Sequence, residues 1–242
     1  DLVCYNDIMK VITLNLWEGE ILEPLKFFIN NHSEDIDVFC FQEMLKTDKS
    51  NLFELIQDIL PNFNGYFSEI VSGIGLATFV NKRLNIDKIE KFDILYPEEI
   101  KNLRNEKGEP YYHRIVQVLS IGEPKINIFN FHGIPGNLKQ DTLEREVQTK
   151  RLNDVLEKYS NPKIIVGDFN LNPDTKGISD LENKMVNLMK GSPYKTTRTR
   201  FYTRKDIMPF ADYIFTSRDI KVKEFKVLPD EVSDHCALFL EI

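Results

Sequence analysis

Eight polar residues stand where apolar, β-branched runs begin or stop: Asn15 after KVITL, Glu43 in DVFCFQE, His132 after INIFNF, Asp168 and Asn170 in KIIVGDFN, Asp212 before YIF, and Asp234 with His235 before CALFLEI. Loops that leave a rigid sheet can carry such groups into one cleft. Together they would offer carboxylate and amide oxygens to a hard divalent cation, a carboxylate to orient water, and imidazoles to contact a phosphate oxygen or move a proton. No Cys/His cluster has zinc spacing, so the implied cation is hard. Singly, each residue also fits a plainer use: Asn15 as a turn former, Glu43 as a solvated loop acid, Asp212 as a strand-start cap.

The GDFN segment says more than any of these alone. Gly167 permits a tight backbone, and positions 168 and 170, two apart on an extended chain, project to the same side. Asp168 would then orient and activate water while the Asn170 amide donates to the charge developing on phosphorus. In SDH, Asp234 could bind a cation and His235 could meet a phosphate oxygen. Asp212 is the sort of carboxylate that fixes an imidazole's tautomer by accepting its N–H. His132 enters a Gly/Pro turn and could overhang the same cleft.

These residues need a scaffold, and the periodicities supply one. A strand over 10–16 leads to a helix over 21–30; a strand over 37–43 leads to a helix that Ser50 would cap and Pro61 would stop. Strands at 76–80, 115–121 and 126–132 follow, the last two joined by a Gly-Glu-Pro turn (Pro124) into a hairpin. The strongest helix spans 141–159, with Asp141 and Glu144 as an N-cap pair, and runs into the strand KIIVGDFN. A helix near 178–190, a basic loop, and strands at 211–217, 220–228 and 236–242 complete the chain. Strand–helix units mixed with hairpins predict an α/β protein with mixed sheets, and no Pro/Gly/Ser-rich linker divides it. Residues 9–242 are therefore expected to form a single domain, with 1–8 a short N-terminal extension before Met9.

Hydrophobic residues at 42% and charged residues at 29% fit a folded soluble protein rather than a disordered or fibrous one. The net charge of −7 argues against a protein that grips long duplex nucleic acid through a basic surface. Cys4, Cys40 and Cys236 have no metal spacing, and the last two lie in apolar runs where a buried thiol is the default. The N-terminus carries no secretion pattern and no apolar run approaches about 18 residues, so no membrane span and a cytoplasmic location are expected.

Taken in order, TLNLW, FQE, FHGIP, GDFN, ADYIF and SDH resemble the motif series of the endonuclease/exonuclease/phosphatase superfamily, from Lys10 to the end of the chain. The family includes apurinic endonucleases, pancreatic-type deoxyribonucleases, neutral sphingomyelinases, inositol polyphosphate 5-phosphatases and metal-dependent tyrosyl-DNA phosphodiesterases. The resemblance implies a four-layer α/β fold: two mixed β-sheets packed face to face with helices outside and a cleft at one edge. It implies a metal-dependent phosphoric-ester hydrolase using Mg²⁺, with Mn²⁺ as the alternative. Glu43 matches the principal metal ligand, with Asn15 beside it and Asp234 completing the acidic surround. Asp168 matches the residue that aligns and deprotonates the attacking water, Asn170 the amide at the phosphate, His235 the histidine that contacts the scissile phosphate and shares charge with Asp212, and His132 a second phosphate-side histidine.

His132-Gly133 departs from the Tyr and Asn usual in apurinic endonucleases, which weakens an abasic-site assignment. The loop 195–206 interleaves Lys195, Arg198, Arg200, Arg204 and Lys205 with Phe201 and Tyr202, and of these Arg198, Arg200 and Tyr202 are the candidates for clasping a phosphate and stacking a base. The expected activity is phosphodiester hydrolysis at a single-stranded or terminal nucleic acid, a nucleotide or another small phosphoester. A sphingomyelinase-like enzyme or inositol-phosphate phosphatase is the alternative, and a catalytically silent phosphate-binding module the alternative of another class. A monomer is the default.

Overall fold

The computed structural model describes residues 9–102, 104, 112–123, 125–136, 138–160, 162–204 and 209–242. The expectations for residues 1–8 (with Cys4), Pro124 and Lys205 lie outside the described residues.

The chain opens with β1 (Lys10–Asn15), α1 (Leu22–His32) and β2 (Val38–Leu45), in which β1 and β2 pair in parallel with Asn15 opposite Gln42. It continues through α2 (Leu52–Ile59), β3 (Phe63–Val71), β4 (Ile74–Asn81), β5 (Ile86–Leu95), the short α3 (Pro97–Ile100) and β6 (Arg114–Ile121). A second parallel unit is then made by β7 (Ile126–His132), α4 (Leu143–Leu156) and β8 (Lys163–Asp168), with His132 opposite Asp168. The remaining elements are α5 (Lys176–Glu182), β9 (Val186–Asn187), β10 (Asp212–Thr216), β11 (Glu224–Val227) and β12 (Leu238–Glu241).

Two six-stranded mixed sheets result, ordered β11-β12-β1-β2-β4-β3 and β5-β6-β7-β8-β10-β9. Each strand–helix–strand unit forces its two strands to run in parallel, so the carboxyl ends of β1, β2, β7 and β8 open on the same kind of edge, where ligands of α/β proteins bind. The central strands read as continuous apolar runs because both their faces are covered. Val11, Val38 and Val80 point inward against Leu119, Ile128, Ile164, Val166 and Ile214 of the other sheet. The alternate residues face outward: Ile12, Phe39 and Phe41 pack on Leu25 and Phe28 of α1 and Ile56 of α2. On the opposite outer side, Phe129, Ile165 and Phe215 pack on Leu152 of α4 and Ile178 of α5.

A buried polar seam crosses the apolar interface between the sheets. Gln42 donates to Asn130 Oδ1 at 2.7 Å, Thr78 donates to Gln117 Oε1 at 2.7 Å, and Asn130 Nδ2 donates to the carbonyls of Phe41 at 3.2 Å and Ala77 at 3.1 Å. Such bonds fix how one sheet sits on the other, because sliding would leave several buried donors and acceptors without partners.

Several sequence expectations are corrected. The N-cap of α2 is Asn51, whose Oδ1 accepts from Glu54 N at 3.1 Å; Ser50 is engaged one residue earlier in a turn with Thr47. The N-cap of α4 is Thr142, while Asp141 accepts from the amides of Lys176 and Gly177 at the start of α5. The expected helix over 178–190 ends at Glu182, because Val186 and Asn187 leave it to pair with Thr216 and Phe215 of β10. The strand expected over 220–228 is confined to Glu224–Val227. Strands β3 and β5 went unanticipated: both lie at sheet edges, half-exposed, and IDKIEKFDIL carries the charged residues that protect an edge. Cys40 and Cys236 are buried free thiols, and among the described residues no helix is long and apolar enough to cross a membrane.

The seam makes a testable claim. Asn130→Leu should lower unfolding free energy by about 2–3 kcal/mol in urea titrations, since it strips Gln42 and two strand carbonyls of a buried partner. A loss below about 0.5 kcal/mol, the scale of an ordinary surface substitution, would show that the seam does not hold the sheets.

Candidate active site

Four of the eight polar residues sit at the ends of the parallel strands, and local backbone features aim them. Gly167 adopts φ +133°, and a Cβ there would lie 2.0 Å from the Phe131 carbonyl oxygen, so only glycine fits between β7 and β8 just before Asp168. At Glu43 the pairing of β2 with β4 skips between Phe41 and Met44; Glu43 takes φ +53°, a bulge that re-aims one side chain. Asn170 and Lys139 also have positive φ, at 53° and 51°.

Asp168 is the hub. Its Oδ2 accepts from Asn15 Nδ2 at 3.1 Å, joining the two sheets, and its Oδ1 accepts from the Asn170 backbone N at 2.9 Å. Asn15 is locked in turn, its Oδ1 accepting from Trp17 N at 3.0 Å. His132 Nε2 lies 3.8 Å from both Asp168 Oδ2 and Glu43 Oε1, and His235 Nε2 lies 3.5 Å from Asp168 Oδ2. Asp212, directly opposite Asp168 in the β8–β10 pairing, places both carboxylate oxygens 2.9 Å from His235 Nδ1. That contact makes Nδ1 the donor and leaves Nε2 facing the cleft.

Asp234 Oδ1 lies 3.7 Å from His235 Nε2, while its Oδ2 accepts from Arg198 Nη1 at 3.0 Å. Arg198 Nη1 also lies against His235 Nε2. The Arg198 backbone is pinned by a β-bridge to His235, and its guanidinium carbon stands 4.3 Å from the centre of the Tyr202 ring. Ser233 ties this loop to β1 by donating to the Asn15 carbonyl at 2.7 Å.

Thus seven of the eight strand-end side chains converge, Asn170 reaching Asp168 through its backbone N alone, and Arg198 and Tyr202 join them. Arg200 does not: it is exposed and paired with Glu231 at 3.0 Å. The expectation that residues 168 and 170 project alike from an extended chain also fails, because the backbone turns at Asn170 and its amide donates to the Gly133 carbonyl at 3.3 Å. Two neighbours were missed. Lys139, 3% exposed, donates to the Phe210 carbonyl at 3.0 Å and stands 5.1 Å from the Tyr202 ring centre. Arg114, at the start of β6, is buried and acts electrostatically on His132. Neither ends an apolar run in a recognisable motif, so the sequence carries no signal for them.

The electrostatics divide the two histidines. Burial, helped by the nearby positive charge of Arg114, pushes His132 down to about 3, so its imidazole is neutral. Burial and Arg198 also act to lower His235, but the carboxylates of Asp212, Asp234 and Asp168 outweigh them and raise it above the ordinary imidazole value. For Asp168 burial alone would raise the carboxyl; the positive groups around it, His235 foremost, hold it well below the usual carboxylate range. Burial raises Glu43 against the pull of His235 and a hydrogen bond from Asn15. Burial lowers Lys139 to about 8.

The donor set fits a hard divalent cation. The Glu43 side chain is 29% exposed toward the cleft, no Lys or Arg among the described residues pairs with it, and its neighbour Asn15 adds an amide oxygen. A bound cation would offset the burial that raises Glu43.

The family model for the endonuclease/exonuclease/phosphatase family matches residues 12–235. The chain belongs to this family and is a phosphoric-ester hydrolase; enzymes of the family generally depend on divalent metal. A comparison with curated proteins finds no significant match. Among solved structures, an endonuclease/exonuclease/phosphatase from Bacteroides vulgatus superposes with a TM-score of 0.75 at 16% identity, over 97% of this chain and 98% of that one. The mannosyl-6-phosphatase of Bacteroides thetaiotaomicron VPI-5482 gives 0.73 at 15% identity over 97% and 99%. The human Nocturnin catalytic domain with bound sulfate anion gives 0.66 at 19% over 97% and 92%. These likenesses show a common fold.

The opposed shifts give a pH signature. In metal-free protein, ¹⁵N NMR should find His235 titrating above about 6.5 and His132 neutral down to about pH 3, and Asp212→Asn should move the His235 midpoint down. By linkage, the His235 contribution to stability is full below about 6.5 and is lost as pH rises through its raised value. His132 acts the other way, costing stability as pH falls from about 6.5 toward 3. A His235 midpoint unmoved in Asp212→Asn would sink the assignment.

Proposed function

We propose that this chain is a Mg²⁺-dependent phosphodiesterase acting on a nucleic-acid end, a nucleotide or another small phosphodiester. The observation that carries the reading is Asp168: a buried carboxylate held well toward its anionic form, with the His132 imidazole at 3.8 Å, the His235 imidazole at 3.5 Å and Glu43 within reach of the same volume.

Because Asp168 is held so far toward its anionic form, it serves first as an acceptor that orients a water for in-line attack. Its oxygens are themselves fixed by Asn15 and the Asn170 amide. His235, held in one orientation by Asp212, turns Nε2 toward the cleft, and the Arg198 guanidinium lying against that nitrogen offers positive charge to a phosphoryl oxygen as negative charge builds there. His132 adds a neutral donor that does not compete with a metal for the carboxylates. Glu43 and Asn15 would hold a divalent ion that, when bound, polarises a phosphoryl oxygen. No covalent enzyme intermediate is needed.

Arg198 and its stacked Tyr202 support a substrate bearing an anion beside a planar or apolar group. A second reading, hydrolysis of a small phosphomonoester such as a sugar or inositol phosphate, is supported by the likeness to a mannosyl-6-phosphatase.

The test is release of p-nitrophenol from bis-(p-nitrophenyl) phosphate with Mg²⁺. Asp168→Ala and His235→Ala should each lose about 10²–10⁴-fold in kcat, and EDTA should abolish turnover. Faster release from p-nitrophenyl phosphate would select the monoester reading, and equal rates in wild type and both variants would refute hydrolysis at this site.

A further inference from the structure

Asp168, Asp212 and His235 offer ligand atoms within 4.8 Å of one another, outwardly a place for a metal ion. The hydrogen bonding narrows that place. His235 Nδ1 is consumed by Asp212 at 2.9 Å, so the nitrogen left for a ligand is Nε2. Around Nε2 stand Asp168 Oδ2 at 3.5 Å and Asp234 Oδ1 at 3.7 Å. Adjacent ligands about 2.1 Å from an octahedral hard cation are about 3.0 Å apart, so small side-chain rotations would bring this nitrogen and either carboxylate oxygen to ligand spacing.

A side-chain cation already stands there. Arg198 Nη1 donates to Asp234 Oδ2 at 3.0 Å and lies against His235 Nε2. The guanidinium is held rather than draped: its side chain is 7% exposed, its carbon is 4.3 Å from the Tyr202 ring centre, and its backbone N donates to Thr196 Oγ1 at 2.8 Å. Guanidinium stays charged throughout the working pH range and suits a buried, stacked position better than ammonium does. Across Asp168, the Glu43 carboxylate meets the His132 imidazole at 3.8 Å and a hydrogen bond from Asn15, and no Lys or Arg among the described residues pairs with it, so the two ends of the acidic cluster differ.

We propose that Arg198 occupies a second metal position, so that the enzyme takes one divalent ion, on the Glu43–Asn15 side of Asp168, with the guanidinium supplying the second positive charge. This rests on the metal-dependent reading above but concerns the number and place of ions rather than the reaction. It also explains why Asp234, expected as a metal ligand, is paired with an arginine instead.

Mn²⁺ titration followed by electron paramagnetic resonance, without substrate, tests it. Wild type should bind one ion per chain. Arg198→Ala and the polar, uncharged Arg198→Gln should bind two, close enough to broaden each other's spectra, while Arg198→Lys should remain at one. In the wild-type Arg198 background, Asp234→Asn should leave the single ion's affinity within about threefold, whereas Glu43→Gln should weaken it by at least tenfold. Two ions in wild type, none in wild type, one ion in a charge-removing variant whose thermal melt is intact, or loss of the ion in Asp234→Asn would each overturn the proposal. If the neutral variants do not fold, the Asp234→Asn and Glu43→Gln pair decides it. Turnover of bis-(p-nitrophenyl) phosphate is scored separately: a single ion without hydrolysis refutes the phosphodiesterase reading and leaves the ion count standing.

Discussion

A single hydrogen bond, from Asn15 Nδ2 to Asp168 Oδ2, spans 153 residues of sequence and both sheets, and the chemistry depends on it. Asn15 ends a strand of one sheet and Asp168 ends a strand of the other, so they meet only if the sheets are stacked in one alignment. That alignment is set deeper by Gln42, adjacent to Glu43 along β2, and Asn130, two residues before His132 along β7. Strand side chains alternate faces, so a slip of one residue in either sheet would turn Glu43 or Asp168 away from the cleft. The apolar core supplies most of the cohesion, and the few polar bonds within it supply the specificity that a phosphoryl site requires.

The site is also a lesson in local against global charge. A chain of net charge −7 attracts no anion at long range. Within the cleft the order is different: Asp212, Asp168 and Asp234 are interleaved with His235 and Arg198, so each carboxylate faces a cation at 2.9–3.5 Å. Alternation of this kind holds Asp168 toward its ionised form and raises His235 above the ordinary imidazole value, and leaves the neutral His132 as the exception that burial enforces. An incoming phosphate would meet donors already oriented by their own partners, which is how a preorganised site avoids reorganising during reaction.

Much of this was legible in the sequence because strand ends leave a strong trace. Asn15, Glu43, His132 and Asp168 could be picked out since each interrupts a run that must be apolar to be buried on both faces. The layered α/β architecture followed from strand–helix units mixed with hairpins. What was not legible depends on tertiary contacts. Asp141 has the side chain of an N-cap but serves a different helix from the one it precedes, and Val186–Asn187 leave a helical pattern because an edge of β10 is available. Lys139 reached the site through a loop whose path no periodicity encodes, and Arg200, two residues from Arg198, turns outward to Glu231. In a loop, residue type without backbone direction cannot tell those two arginines apart.

Four non-glycine residues around the cleft, Trp17, Glu43, Lys139 and Asn170, hold left-handed backbone angles that cost each of them of order 1 kcal/mol. Glycine would relieve that burden at every one of these positions, yet at Glu43 it would delete a carboxylate and at Asn170 a side chain that fastens the loop. Selection acting on thermal endurance alone would therefore push the rim of this pocket toward glycine and away from catalysis. Bulky side chains held in such conformations set a limit on how far the enzyme can be hardened without dulling it.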